Sequence, residues 1–190
     1  MASKTGARPT GTDGSDFRHR EKVANQYNIS PFLKKRLRFV YSCHTIVWLI
    51  ILLKFIPEIF RNLGISLEYF KSVNLPSPDT WEFVWFLGSL TPSIFGYLSL
   101  SKNRVFLLRV SLFGTMIFGF IPISVGVCYK ALELYDFYQT KVSNSNIFGL
   151  PLVVVWYIFF CGCIQIHGFS LFFGLKLLRT WTGQLHKKNL

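Results

Sequence analysis

Two apolar stretches of the sequence carry cysteine and histidine at short spacing. Cys43 and His44 are adjacent in the first stretch, and Cys163 and His167 lie one helical turn apart in the second. Thiolate and imidazole are ligands that Zn²⁺ prefers, so these four residues would form a metal or catalytic site if the two stretches met. Hydrogen bonding between helices by His44, Gln165 and His167 is the alternative, and we favour it.

No sequence motif of a known enzyme reaction accompanies these residues. The chain contains no GxSxG, HExxH, phosphate loop or dinucleotide fingerprint. We therefore predict a protein that is not an enzyme, with no catalytic residue, no cofactor and no resident metal. A membrane-embedded Cys/His metal protein or enzyme is kept as an alternative.

The chain ends in Lys187-Lys188-Asn189-Leu190, with two lysines third and fourth from the carboxyl terminus. That spacing resembles the dilysine signal by which coatomer returns membrane proteins from the Golgi to the endoplasmic reticulum. The signal operates only at a cytosolic C-terminus close to a membrane span. Lys187 and Lys188 are therefore predicted to form a retrieval signal, provided that the upstream sequence puts them there.

A basic run, Lys34, Lys35, Arg36 and Arg38, stands immediately before the first apolar stretch. Basic residues beside a span set its orientation, and they also attract anionic lipid at about 1 kcal/mol per residue. We favour the role in orientation, although the two are physically compatible. A lipid-binding protein that shapes the reticulum is accordingly a second alternative.

The composition is that of a membrane protein. Hydrophobic residues make up 51% of the 190 positions, with 20 phenylalanines, and the formal net charge is +12. The basic residues lie in short segments between apolar blocks and no nucleic-acid-binding module is recognisable, so we expect membrane lipids and no nucleic acid as partners.

Four apolar runs approach or exceed the roughly 20 residues that cross a bilayer; three are uncharged over 18 residues or more, and the first continues past Lys54 to Ile56. We predict an all-α polytopic membrane protein, a bundle of four transmembrane helices. A cytosolic basic region, 1–38, of which 1–16 is disordered, precedes a membrane domain, 39–175, and a tail, 176–190. The predicted spans are 39–56, 83–100, 106–129 and 147–175.

The distribution of charge predicts the orientation of these spans. Net charge is +6 over residues 1–38, −2 over 57–82, +3 around the connection after the second span, zero over 130–146 and +4 over 176–190. The alternation predicts that both termini face the cytosol. It also places the two terminal lysines on the side where coatomer operates.

Several residues within the spans have predicted structural roles. Ser89, Ser93 and Gly96 follow one helix face and predict close helix packing. Trp81, Trp85 and Trp181 suit interfacial anchoring, and Lys54 suits snorkelling to the interface. Prolines predict an interruption of the lead-in helix at Ser30-Pro31 and kinks at Pro92 and Pro122.

The N-terminal region contains a block whose order no helix or span requires: Gly11, Thr12, Asp13, Gly14, Ser15, Asp16 and Phe17. This block resembles the opening of the Jagunal family. Further similarity continues along essentially the whole chain, although the loops 57–80 and 130–150 match poorly. Matching positions include His44, Val47-Trp48-Leu49, Trp81-Glu82, Pro92-Ser93, Gly96, Gln165, His167, Lys176-Leu177-Leu178, Trp181 and the terminal lysines.

The resemblance implies a four-span protein of the endoplasmic reticulum membrane. It implies a role in vesicle-mediated transport in the early secretory pathway and in reticulum organisation, with coatomer and membrane cargo proteins as partners. In vertebrates it implies a role in neutrophil function. It implies no enzymatic activity, and the mechanism of the block from Gly11 to Phe17 does not follow from it.

Overall fold

The computed structural model describes residues 15–64, 76–143, 145–147 and 149–188, and for 15–27 and 184–188 it describes the backbone alone. The described chain is almost entirely helical. Its helices are α1 (Ser15–Asn62), α2 (Thr80–Ser101), α3 (Val105–Gly114), α4 (Ile121–Tyr129), α5 (Ala131–Thr140) and α6 (Leu152–Lys188). A π-helical segment, Thr115–Phe120, joins α3 to α4.

Four helical segments are long and apolar enough to span a membrane. They are Asn28–Asn62, Thr80–Ser101, Val105–Thr140 and Leu152–Gly183. The prediction of an all-α four-span bundle is confirmed, and the first three predicted spans lie within these segments. The fourth, predicted over 147–175, overlaps Leu152–Gly183 but begins five residues before the helix. The fourth helix begins at Leu152, after a two-residue antiparallel pair of β1 (Asn146–Ile147) with β2 (Leu150–Pro151). Gly149 makes the turn between them with φ +80°, which favours glycine.

The predicted interruption at Ser30-Pro31 is wrong, because α1 continues through Pro31. Contacts on both sides of the proline hold the helix. The Trp181 indole N–H donates to Ser30 Oγ at 3.1 Å, and Leu33 is buried in a cluster with Trp181. This packing offsets the cost of a proline inside a helix, which is about 3 kcal/mol.

Pro122 is accommodated by a local change of helix type. It occupies the first turn of α4, directly after the π-helical segment. A proline has no N–H to donate and its ring would clash with the carbonyl four residues earlier. A widened π turn before the proline removes that conflict, which explains why the third span is divided here.

Two apolar clusters form the interior of the bundle. The first joins the N-terminal half of α1, the α2–α3 connection and the C-terminal half of α6, through Leu33, Leu37, Tyr41, Leu100, Leu108, Leu112, Leu177 and Trp181. The second joins the opposite ends of the same helices, through Ile51, Phe55, Trp81, Trp85, Ile123, Leu152, Trp156, Phe160 and Cys163. We call the end of the bundle with the first cluster the basic end and the end with the second cluster the ion-pair end, after the charged side chains at each.

Candidate functional site

The two apolar clusters are separated by a layer of buried polar side chains. His44 of α1 and His167 of α6 meet there, with ring centroids 5.1 Å apart. They are only 2% and 3% exposed. The long antiparallel contact between α1 and α6 brings them together, since each histidine lies on the face that its helix turns toward the bundle.

Each histidine is held by α2. His44 Nδ1 is 3.1 Å from Ser93 Oγ, and the Trp85 indole N–H donates to His167 Nε2 at 3.4 Å. An indole nitrogen donates only, so His167 Nε2 accepts, and the proton of a neutral ring is then on Nδ1. His44 Nε2 and Ser89 Oγ are buried without a partner among the described residues. We call His44, His167, Ser93, Ser89 and Trp85 the histidine node.

The third span approaches the histidine node through a glycine. A Cβ at Gly119 would lie 3.0 Å from Cε1 and Nδ1 of the His167 ring. The π-helical segment therefore presents bare backbone to the imidazole, and Phe120 packs beside it with ring centroids 5.7 Å apart. All four spans thus contribute to one polar contact inside the membrane domain.

A second polar contact lies one to two turns nearer the basic end. The Tyr41 hydroxyl and Ser111 Oγ are 3.2 Å apart and both side chains are buried. A Cβ at Gly96 would overlap the Tyr41 hydroxyl and Ser111 Oγ. Ser89, Ser93 and Gly96, which form the predicted packing face, are all buried. Their small side chains make room for hydrogen-bonding groups from α1 and α3.

The cysteines do not join the histidines. Cys163 is buried in the apolar cluster of the ion-pair end, and Cys43 is half-buried on α1. Within the described ranges, no three His, Cys, Asp or Glu side chains are grouped so that they could hold a metal ion. The structure therefore brings together His44 and His167 of the four candidate ligands.

The ion-pair end contains a charge contact that the sequence did not predict. Lys54 Nζ lies 2.5 Å from Glu82 Oε2 and 4.5 Å from the centre of the Trp156 ring, and both charged side chains are nearly inaccessible. Lys130 Nζ lies 3.4 Å from Asp79 and 3.2 Å from Glu133. We expect Lys54 to snorkel to the interface; in the structure its ammonium pairs with Glu82, in the first turn of α2.

The tryptophans also differ from the prediction. Trp81, Trp85 and Trp181 are all buried among the helices, so their rings are not free to contact lipid headgroups, and Trp85 is 1% exposed. Trp85 lies more than one turn inside α2, where its indole meets His167. Trp85 lies four residues before Ser89 and eight before Ser93, and this spacing places all three on one face of α2. That spacing is the sequence pattern that indicates a buried Trp85.

The basic end carries the predicted basic cluster. Lys34 is half-buried with Nζ 5.8 Å from the centre of the Trp181 ring, whereas Lys35, Arg36 and Arg38 are exposed. The same end carries Lys102, Arg104, Arg109, Lys176 and Arg179. Among the side chains that the structure describes, this end has nine basic groups and no carboxylate.

The two terminal motifs are only partly within the described chain. Gly11, Thr12, Asp13 and Gly14 lie outside the described residues, and Ser15, Asp16 and Phe17 begin α1 with the backbone alone described. The backbone of α6 is helical to Lys188, so Lys187 and Lys188 lie on the same helix as the last span. Both motifs stay predictions.

Comparison with known proteins gives one consistent result. A family described as "Jagunal, ER re-organisation during oogenesis" matches residues 1–185. The chain is 33% identical to the Protein jagunal homolog of Caenorhabditis elegans, over 94% of this chain and 96% of that protein. It is 30% identical to the Protein jagunal homolog 1 of Homo sapiens, over 99% of this chain and 98% of that protein. The chain therefore belongs to the Jagunal family.

Proposed function

We propose that this protein is a non-enzymatic, multi-pass protein of the endoplasmic reticulum membrane that acts in vesicle-mediated transport in the early secretory pathway and in reticulum organisation. Coatomer recognises its C-terminal Lys187 and Lys188, and membrane proteins in transit are its clients. The match to the Jagunal family over residues 1–185 carries this proposal. In a vertebrate, the neutrophil role that the resemblance implies would follow from the same secretory function.

The orientation that the proposal needs is supported by the charges of the bundle. Basic groups are retained on the cytosolic side of a membrane. Nine described basic side chains and no carboxylate lie at the basic end, whereas the ion-pair end has four basic groups against five acidic ones among the described side chains. A cytosolic basic end puts the N-terminal part of α1 and the C-terminal part of α6 in the cytosol.

The proposed retrieval signal lies close to the folded bundle. Trp181 is the last buried side chain that the structure describes on α6, and Lys188 follows it by seven positions. A helix rises about 1.5 Å per residue, so this tail extends roughly 10 Å beyond the packed core. A coat protein acting on the membrane surface can reach a signal at that distance.

The test replaces Lys187 and Lys188 with serine in the full chain, then measures cellular location and coatomer recovery. The matched control replaces Lys176 and Arg179 with serine, because both are exposed on the same helix and carry the same charge. We expect the tail variant to leave the reticulum and lose coatomer, and the control to keep both. Retention of the reticulum location with unchanged coatomer recovery in the tail variant would overturn the retrieval mechanism.

One observation favours a second candidate, a protein that binds anionic lipid and shapes the reticulum. The basic groups of the basic end have no carboxylate partner among the described side chains, and Lys35, Arg36 and Arg38 are exposed. Phosphate headgroups of the adjacent leaflet would neutralise them. This candidate is compatible with transport, and its test is given in the Discussion.

A further inference from the structure

The short helix α5 has an apolar face that is exposed. Leu132, Tyr135 and Tyr138 follow one face at three-residue spacing, and they are 76%, 61% and 67% exposed. None of its residues is buried. A helix on the surface of a soluble protein turns such a face toward the core.

The side of α5 that faces the rest of the bundle is mixed, because Glu133, Leu134 and Phe137 are half-buried. Glu133, Asp136 and Thr140 line a cleft together with Val153 of the first turn of α6. Glu133 also lies 3.2 Å from Lys130. These half-buried residues face the bundle, which leaves Leu132, Tyr135 and Tyr138 pointing away from it.

The outward face of α5 continues the lipid-facing stripe of the third span. Ile121, Val125 and Tyr129 lie at four-residue spacing on α4 and are all half or more exposed. Leu132 follows three residues after Tyr129, across the turn at Lys130 that separates α4 from α5. The surface that contacts acyl chains along α4 thus continues onto α5.

The contacts at the two ends of α5 are of the kind found at the edge of a bilayer. Lys130, between α4 and α5, pairs with Asp79, which directly precedes α2. Its Nζ also lies 5.4 Å from the centre of the Tyr129 ring, and at the far end of α5 Lys141 Nζ lies 4.5 Å from the centre of the Tyr138 ring. Tyrosine and lysine together are typical of the headgroup region, where the ring is half apolar and the ammonium reaches phosphate.

We infer that α5 is an interfacial helix, with Leu132, Tyr135 and Tyr138 inserted into the phospholipid leaflet at the ion-pair end. Such helices lie about 5–10 Å deep, at the boundary between headgroups and acyl chains. The occupant of the exposed face is lipid because the face is continuous with the lipid-facing surface of α4. Insertion into one leaflet alone expands that leaflet, which gives the protein a physical means of bending its membrane. The inference does not depend on the proposed retrieval signal.

The test measures the environment of single nitroxide labels on the full chain in phosphatidylcholine vesicles. The natural cysteines Cys43, Cys128, Cys161 and Cys163 are first replaced by alanine, and helical circular dichroism checks the fold. A label is then placed at Tyr135→Cys, with Asp136→Cys as the control on the polar side of α5, about 100° around the helix. Collision with oxygen reports lipid, and collision with a nickel chelate reports water.

We expect the label at position 135 to collide with oxygen and not with nickel, and the label at position 136 to show the reverse. Tyr138→Cys repeats the measurement on the inserted face, so that local damage at one position does not decide the result. Equal nickel collision at 135 and 136 would show a helix in water and overturn the inference. Low collision with both reagents at 135, or spin–spin broadening, would reveal protein or a second copy on this face and would overturn it too.

Discussion

The two ends of the bundle have similar apolar clusters but opposite ways of handling charge. At the ion-pair end, Lys54 and Lys130 are matched inside the protein, by Glu82 and by Asp79 with Glu133. At the basic end, nine described basic groups have no described carboxylate beside them. The ion-pair end therefore uses its charges to hold helices together. The basic end leaves its charges available to groups at the membrane surface. A topology determinant, a lipid contact or a coat contact requires such charges.

Removal of the Glu82 charge should have the largest effect on stability. Glu82→Gln leaves Lys54 buried against Trp156 without its carboxylate, and breaking one partner of a buried pair costs about 3–5 kcal/mol. The free energy of unfolding in detergent micelles measures this loss. The control is Glu58→Gln, whose partner Arg61 is exposed and whose pair should contribute about 0–1 kcal/mol. Equal losses in the two variants would mean that the ion-pair end is not held by its buried pair.

A methyl group at Gly96 should destabilise the region between the two ends. Gly96→Ala places a Cβ against the Tyr41 hydroxyl and Ser111, and overpacking of this kind costs about 1–3 kcal/mol. The matched control is Gly162→Ala on α6, where a Cβ meets nothing within 4 Å. There the substitution should be neutral or stabilising by up to about 1 kcal/mol. Unfolding measurements that give the two glycines the same effect would contradict the close approach of α1 to α2.

Neutralisation of the exposed basic cluster should weaken the preference for anionic lipid. Each of Lys35, Arg36 and Arg38 should attract a charged leaflet by about 1 kcal/mol, and its replacement by glutamine should remove that attraction. Native mass spectrometry of the purified protein measures the phosphatidylserine that it retains. Arg61→Gln with Lys141→Gln, at the ion-pair end, is the control and should change retention little. A larger loss in the control than in the cluster variant would reverse the assignment of the two ends.

The histidine node should show the smallest effect. A double-mutant cycle of His44→Ala with Ser93→Ala should give a coupling free energy of about 0.6 kcal/mol and at most about 1.7, the range for hydrogen bonds between membrane helices. His44→Ala with Ser89→Ala is the control cycle, because Ser89 Oγ has no hydrogen-bond partner among the described residues. Coupling of equal size in both cycles would show that the effect is packing rather than the hydrogen bond to Ser93.

The spans could be predicted because their signal is local. Uncharged runs of 18 residues or more are rare outside membranes, and each of the three in this chain overlaps a spanning helix of the structure. The helix ends were less predictable. Pro31 suggested a break that contacts with α6 prevent, and Pro122 suggested a kink that a π turn absorbs. In both cases tertiary packing, which a single sequence does not display, decides the local geometry.

The contacts of the site could be predicted only in part. The meeting of His44 and His167 requires α1 beside α6, and nothing in the spacing of residues gives that pairing. Lys54 and Glu82 are 28 positions apart on different spans, so their ion pair had no local signal either. The orientation of Trp85 depends on the same arrangement of helices. Residue type indicated which groups were polar and buried, and the fold decided which of them touch.

The central claim is that the basic end faces the cytosol and the ion-pair end faces the lumen. Glycan mapping in reticulum membranes tests it most directly, with a glycosylation acceptor inserted after Lys141 in one variant and after Asn103 in another. Asn28, in the sequon Asn28-Ile29-Ser30, serves as an internal reporter near the basic end. The account predicts glycosylation of the insert after Lys141 alone. Glycosylation after Asn103 or at Asn28 would contradict it.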